Sequence, residues 1–212
     1  MKIFFAPDTR AVRVVWLFEE LGLYELELFK LGDASMRSSA YLGIHPLGRV
    51  PTLVDEKVTI FESGAIVQYV LAKYGGGRLT PDVGSQEFPV YLQWFHFAEG
   101  MIMPPINIIV VETVLLSAER RNQVNVDRAT KLLSRMLASV DAGVRGKEFL
   151  AGKFSAADIM LGQACMAAAK VGADFSGRPD LSAYLNRLRE RPAFKKASAT
   201  GKPGSADVSP QT

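Results

Sequence analysis

One cysteine and two histidines are all that this chain of 212 residues offers for thiol and imidazole chemistry. With Cys165 alone, no intrachain disulfide can form and no metal cluster can be built on thiolates, which fits a reducing cytoplasm. A basic block is missing too. The net charge of +3 is spread along the chain without interleaved aromatics, so no nucleic-acid partner is expected. Long apolar runs are equally scarce: the most apolar region, Met101 to Leu116, is interrupted by Pro104, Pro105, Asn107 and Glu112, short of an uninterrupted membrane span. The amino-terminal apolar stretch is cut by Pro7 and Asp8 and is too short for a secretory signal, so neither export nor membrane insertion is expected.

What is present is an ordinary globular composition, 48% hydrophobic and 22% charged, with enough chain for one large or two small domains. Lys2 to Ala6 reads as a first strand. Val14, Leu17, Phe18 and Leu21 mark a helix ending at Gly22, and Tyr24, Leu26 and Leu28 alternate with glutamates as a second strand. A short helix is expected around Ser35 to Leu42. The order is then βαβ followed by ββα, a small sheet covered by helices. Gly75 to Ser85 has linker composition, and beyond it helical periodicity dominates: a segment through Trp94, then Leu133, Met136, Leu137 and Val140, then Leu181, Tyr184, Leu185 and Leu188. Pro104 and Pro105 are expected to break or kink the first of these helices. The implied division is 1–78, a linker at 79–85, an all-helical 86–197, and a disordered tail at 198–212.

The chain is organised around Gly48 to Tyr74. Thr52 to Val54 and Val58 to Phe61 read as a hairpin joined by the charged turn Asp55-Glu56-Lys57. A helix follows, with Ser63 as its N-cap and Val67, Val70, Leu71 and Tyr74 as its buried stripe. Pro51 opens a strand where it gives up a ladder donor, and a cis Val50-Pro51 bond would present the Val50 peptide groups as an edge for an extended peptide. Glu62 and Ser63 bring a carboxylate and a hydroxyl to a helix N-terminus, a site suited to a ligand carrying both an amino and a carboxylate group.

These residues carry a resemblance. His45-Pro46-Leu47-Gly48-Arg49-Val50-Pro51, with Phe61-Glu62-Ser63-Gly64-Ala65-Ile66 following, resembles the glutathione-binding core of the cytosolic glutathione S-transferases. Trp16 to Leu23 and Phe154 to Ile159 extend the likeness over most of the chain. The resemblance implies an α/β thioredoxin-like amino-terminal domain and an all-α helical-bundle carboxy-terminal domain. It implies glutathione as co-substrate, a small hydrophobic electrophile, no metal, a homodimer and a cytoplasmic location. Glutathione would lie with its γ-glutamyl end at Glu62 and Ser63, its cysteinyl backbone at Val50 beside Pro51, and its glycine carboxylate at Arg49. Arg49 replaces the more usual lysine there, which keeps the charge. His45 stands where the family often has Asn; a polar role toward the ligand and a turn role before Pro46 are both open.

Glutathione is a nucleophile only as thiolate, and a thiol of pKa about 8.5 is mostly protonated in the cell. Lowering that pKa by about two units asks for about 3 kcal/mol, within reach of one hydroxyl donor and the positive end of a helix. The family places Tyr, Ser or Cys between the first strand and first helix. This chain has Phe4 and Phe5 where a Tyr would stand, and Thr9 is the only hydroxyl of the segment, which points to a hydroxyl-type rather than a Tyr-type site. Thr9 is the expected thiolate donor, helped by the Arg10 N–H and guanidinium; the other reading is that Thr9 or Asp8 caps the first helix.

The electrophile would lie between the domains against Phe95, Met101 and Met103, residues that a helical core would equally use. His96 and Glu99 share a helix face but have no further ligand beside them, so no metal is expected. Ser155 and Asp158 form a capping-box pattern with a structural role, and Cys165 reads as a core residue. Three activities share such a pocket: conjugation, a non-catalytic binding or regulatory role, and glutathione-dependent isomerase, peroxidase or dehalogenase chemistry.

Overall fold

The computed structural model describes residues 1–23, 25–30 and 34–202. Tyr24 of the expected second strand and residues 203–212 of the expected tail lie outside the described residues. Contacts divide the chain into two units, Met1–Gly77 with Glu190–Thr212, and Arg78–Arg189.

The first unit is a thioredoxin-like arrangement in which β1 (Lys2–Phe5), α1 (Ala11–Leu21) and β2 (Glu25–Leu28) form the βαβ part. A 3-10 turn at Ala34–Arg37 and the short α2 (Ser39–Leu42) occupy the expected short-helix region. β3 (Thr52–Asp55), β4 (Val58–Phe61) and α3 (Ser63–Tyr74) follow. The sheet order is β2-β1-β3-β4, with β1 parallel to β2 and antiparallel to β3, and β3 antiparallel to β4. The hairpin turn is tighter than the sequence reading had it. Asp55 still pairs with Val58, so only Glu56 and Lys57 turn, and Glu56 takes a positive φ of 52°. Asp55 is then a buried strand residue instead of a solvated turn residue. It accepts from Tyr74 Oη at 2.6 Å, Tyr69 Oη at 2.7 Å and Lys73 Nζ at 2.9 Å, which ties the last turns of α3 to the end of β3.

α1 is buried on nearly every side, because α9 (Pro192–Ala199) covers the face that the sheet does not. Trp16 meets Phe194 edge-on at 4.8 Å, and Arg191 grips Glu20 through two bonds of 2.7 and 2.9 Å. The helical half inferred as 86–197 therefore gives α9 up to the first unit: one aromatic contact and one bidentate ion pair with α1 outweigh its adjacency in sequence.

In the second unit, α4 (Glu87–Phe97), α5 (Met103–Val110), α6 (Gln123–Val144), α7 (Ala156–Lys170) and α8 (Pro179–Glu190) form the helical bundle. Pro104 and Pro105 do not end the first helix. Two π segments, Ala98–Ile102 and Val111–Leu115, make Glu87–Leu115 one helical run. The wider π turn immediately before the prolines changes the hydrogen-bond register where their missing N–H groups would leave carbonyls unpaired, and both then sit in the first turn of α5. By length and composition the whole run Glu87–Leu115, longer than the Met101 to Leu116 stretch considered above, could cross a membrane, a test that the core helix of a bundle also passes. Here it buries Trp94, Phe95, Ile102, Ile106 and Ile109 within the bundle. Asp158, fully buried, closes the capping box with Ser155 and also accepts from Leu150 N at 3.0 Å and Tyr184 Oη at 2.9 Å. Cys165 is buried in α7.

Candidate functional site

Strand direction gathers the site. β1 runs antiparallel to β3, and β3 antiparallel to β4, with Phe4 opposite Thr52 and Thr52 opposite Phe61. The residues after β1, before β3 and after β4 therefore leave the sheet at the same end. That end receives Thr9 and Arg10, Val50 and Pro51, and Glu62 and Ser63, with the N-termini of α1 and α3. Three segments spread between Thr9 and Ser63 in the sequence become neighbours through strand order alone.

The Val50-Pro51 bond is cis. Val50 stands before the first laddered residue, Thr52, half-buried against a cluster of Phe4, Met36 and Tyr41. Tyr41, absent from the sequence reading of the site, fixes this segment: its buried hydroxyl lies 2.7 Å from the Arg49 carbonyl and 3.2 Å from Thr52 Oγ1. Burial raises its phenol pKa, so it stays a hydrogen-bonding hydroxyl at neutral pH. Gly48 is required just before. At φ 55° a Cβ there would lie 2.3 Å from the Met36 carbonyl oxygen. Arg49 keeps its side chain exposed. His45 is buried, with Nδ1 accepting from Leu47 N at 3.1 Å and the ring 4.5 Å from that of Phe61. Burial, ahead of its charged neighbours, lowers its pKa, and the Nδ1 bond is that of a turn residue.

Ser63 was read as the N-cap of α3; the cap is Glu62. The first helical bond runs from Ile66 N to Glu62 O at 2.9 Å, so Ser63 is already helical. Glu62 adopts φ 73°, ψ 114°, a conformation that residues other than Gly rarely take, and its exposed carboxylate makes no capping bond. Ser63 is buried and accepts from Arg13 Nη1 at 3.4 Å. Arg13, fully buried in α1, also escaped the sequence reading. The available signal was a cation four residues before Leu17, on a face that packs inward. The Arg13 charge and the N-terminus of α3 both make the surroundings of Ser63 favourable to an anion.

Thr9 is half-buried, and its hydroxyl donates to the Ala6 carbonyl at 2.7 Å while accepting from Ala11 N at 3.2 Å. Both bonds are local ones at the start of α1, made one residue before its N-cap position. Arg10 occupies the N-cap position of α1 with helical φ and ψ and no side-chain cap bond. In the second unit Phe95 and Met103 are buried while Met101 is exposed, so these three do not share one open wall. Among the described residues, no three His, Cys, Asp or Glu side chains gather as a metal site.

Residues 1–72 match the family model described as the glutathione S-transferase N-terminal domain. The chain is 32% identical over 197 residues to glutathione S-transferase 4 of Zea mays, covering 88% of this chain and 86% of that protein. It is 29% identical over 193 residues to glutathione S-transferase GstB of Escherichia coli K12, covering 89% and 92%. Among solved structures it superposes on glutathione transferase URE2P8 of Phanerochaete chrysosporium, crystallised with oxidised glutathione, with a TM-score of 0.82 at 26% identity over 92% of each chain.

Proposed function

The chain belongs to the glutathione S-transferase family, and from that premise we propose that its first unit binds glutathione at the shared end of the sheet and activates its thiol for attack on a small hydrophobic electrophile. The observation that carries this reading is the convergence of Thr9, Val50 and Ser63 at one sheet end, with Arg13 behind Ser63. Val50 would pair with the cysteinyl backbone, the Glu62 carboxylate would meet the γ-glutamyl amino group, and Ser63 with the α3 N-terminus would take its carboxylate. Arg49 would face the glycine carboxylate, and His45 would support the turn between them.

The chemistry is a displacement or addition. The thiol proton leaves to solvent and the sulfur lone pair forms a bond to the electrophilic carbon; in a displacement the leaving group departs with its bonding pair, and in an addition the π pair moves onto the acceptor, which takes up a proton from solvent. The first turn of α1, Arg10 and the Thr9 hydroxyl would hold the developing sulfur anion. For Thr9 this requires its hydroxyl hydrogen to turn from the Ala6 carbonyl to the sulfur, a rotation about one bond. Exposed apolar residues Met101, Ile108, Val111 and Leu115 on the long helix support roles in electrophile contact or in pairing with a second copy. The buried lone cysteine fits a cytoplasmic setting.

The Thr9–Ala6 bond also favours a second reading, a binding protein without conjugating activity, in which Thr9 only starts α1. Calorimetric titration with glutathione, together with conjugation of a chloro-nitro aromatic by wild type and Thr9 variants, separates the two. Under the enzyme reading, Thr9→Ala lowers kcat by about tenfold or more and Thr9→Ser retains activity. Glutathione binding without turnover would establish the second reading, and absence of binding would overturn both.

A further inference from the structure

The carboxy-terminal segment returns to the turn that carries Thr9. After α9, Thr200 is buried and its N–H and hydroxyl both donate to the Lys196 carbonyl, at 3.0 and 2.9 Å. Gly201 follows at φ 74° and lies directly on the β1–α1 turn: a Cβ there would be 2.9 Å from Pro7 Cγ and 3.5 Å from Phe5 Cε1. Lys202 then reaches Asp8, Nζ to Oδ1 at 3.4 Å. Asp8 has φ 59°, a strained conformation for a residue with a Cβ, which persists where the surroundings hold it. Thr9 is the next residue.

We propose that Thr200, Gly201 and Lys202 form a positioning strap that holds Pro7 and Asp8, and through them sets the Thr9 hydroxyl and the first turn of α1. This inference rests on the proposed function for its catalytic meaning, because it takes the β1–α1 turn to be where the thiol is activated. The strap is itself anchored. Arg191 on Glu20, Phe194 on Trp16 and Lys196 on Glu19 at 2.7 Å fix α9 along α1, so the position of Gly201 is set by the helix it starts from. The Asp8–Lys202 pair is about half exposed and adds little attraction alone. Close packing of Gly201 on Pro7 is the stronger constraint, since any larger residue there must push the turn or the strap aside. The arrangement makes Thr200 to Lys202 contributors to thiol acidity and leaves the residues at the glutathione backbone untouched.

The test uses the full chain with Gly201→Val, Lys202→Met, and the charge swap Asp8→Lys with Lys202→Asp. Two readouts are taken: hydrogen exchange of the Asp8 to Ala11 amides without ligand, and the pH titration of bound glutathione followed by thiolate ultraviolet absorbance. The expected result is faster exchange in Gly201→Val, a raised thiol pKa, and kcat lowered about threefold to tenfold with glutathione KM nearly unchanged. Lys202→Met shows the same in smaller measure, and the charge swap recovers part of it. Unaltered exchange in Gly201→Val would overturn the strap whatever happens to glutathione. Faster exchange with an unaltered thiol pKa would overturn its catalytic meaning. Failure of wild type to bind glutathione would instead take down the proposed function, a result read independently of the exchange data.

Discussion

Arg13 donates to Ser63: the guanidinium of a fully buried arginine in α1 meets, at 3.4 Å, the hydroxyl of the first residue of α3, fifty positions later. With a serine lone pair filled by a cation, the hydroxyl hydrogen is left to point elsewhere, and the positive end of α3 supplies the field an incoming carboxylate would meet.

Arg13→Met is accordingly expected to weaken glutathione binding by about tenfold, which corresponds to about 1.4 kcal/mol, while leaving kcat at saturating glutathione close to wild type. Arg13→Lys keeps the charge and recovers part of the loss. Titration calorimetry checks the affinity, and circular dichroism melting checks that the fold survives.

Tyr41 holds the segment in front of Pro51, so Tyr41→Phe leaves the Arg49 carbonyl short of a donor without changing the apolar cluster that the ring fills. A stability loss of about 1–3 kcal/mol is expected from urea unfolding. A raised KM for glutathione should accompany it, because the Val50 backbone loses its support.

Asp55 carries a pH signature. Hydrogen bonds from Tyr74 foremost, then Lys73 and Tyr69, against the opposing effect of burial, lower its pKa to about 2 from 3.8. A folded pKa below the unfolded one means the native state binds protons less readily. Its contribution is thus present in full above about pH 4 and is lost as pH falls toward 2. Asp55→Asn should lose about 1–3 kcal/mol at pH 7, and the gap from wild type should narrow when urea unfolding is repeated near pH 3. A constant gap would count against the network.

Asp158 joins Leu150, Ser155 and Tyr184 in the core of the second unit. Asp158→Ala strands all of them at once, and an expected loss of about 3–5 kcal/mol should show as a lower melting temperature and poor recovery of folded protein. Ser155→Ala removes one partner only and should cost about 1 kcal/mol.

The strands, the α3 stripe, the capping box and the helix stripes of α6 and α8 follow from periodicity and local capping chemistry, which are written in neighbouring residues. The motif around Pro51 and Glu62 was legible for the same reason, since each piece spans only a few positions. Tertiary structure alone decided what lies far apart in sequence: Arg13 under Ser63, Tyr41 on Arg49, and α9 on α1 with Gly201 against Pro7. It also turned Asp55 from a turn residue into a buried acceptor and committed the Thr9 hydroxyl to Ala6. The reason is physical. A residue's period shows that it faces inward, whereas its partner there depends on strand order and helix packing, which no local pattern encodes.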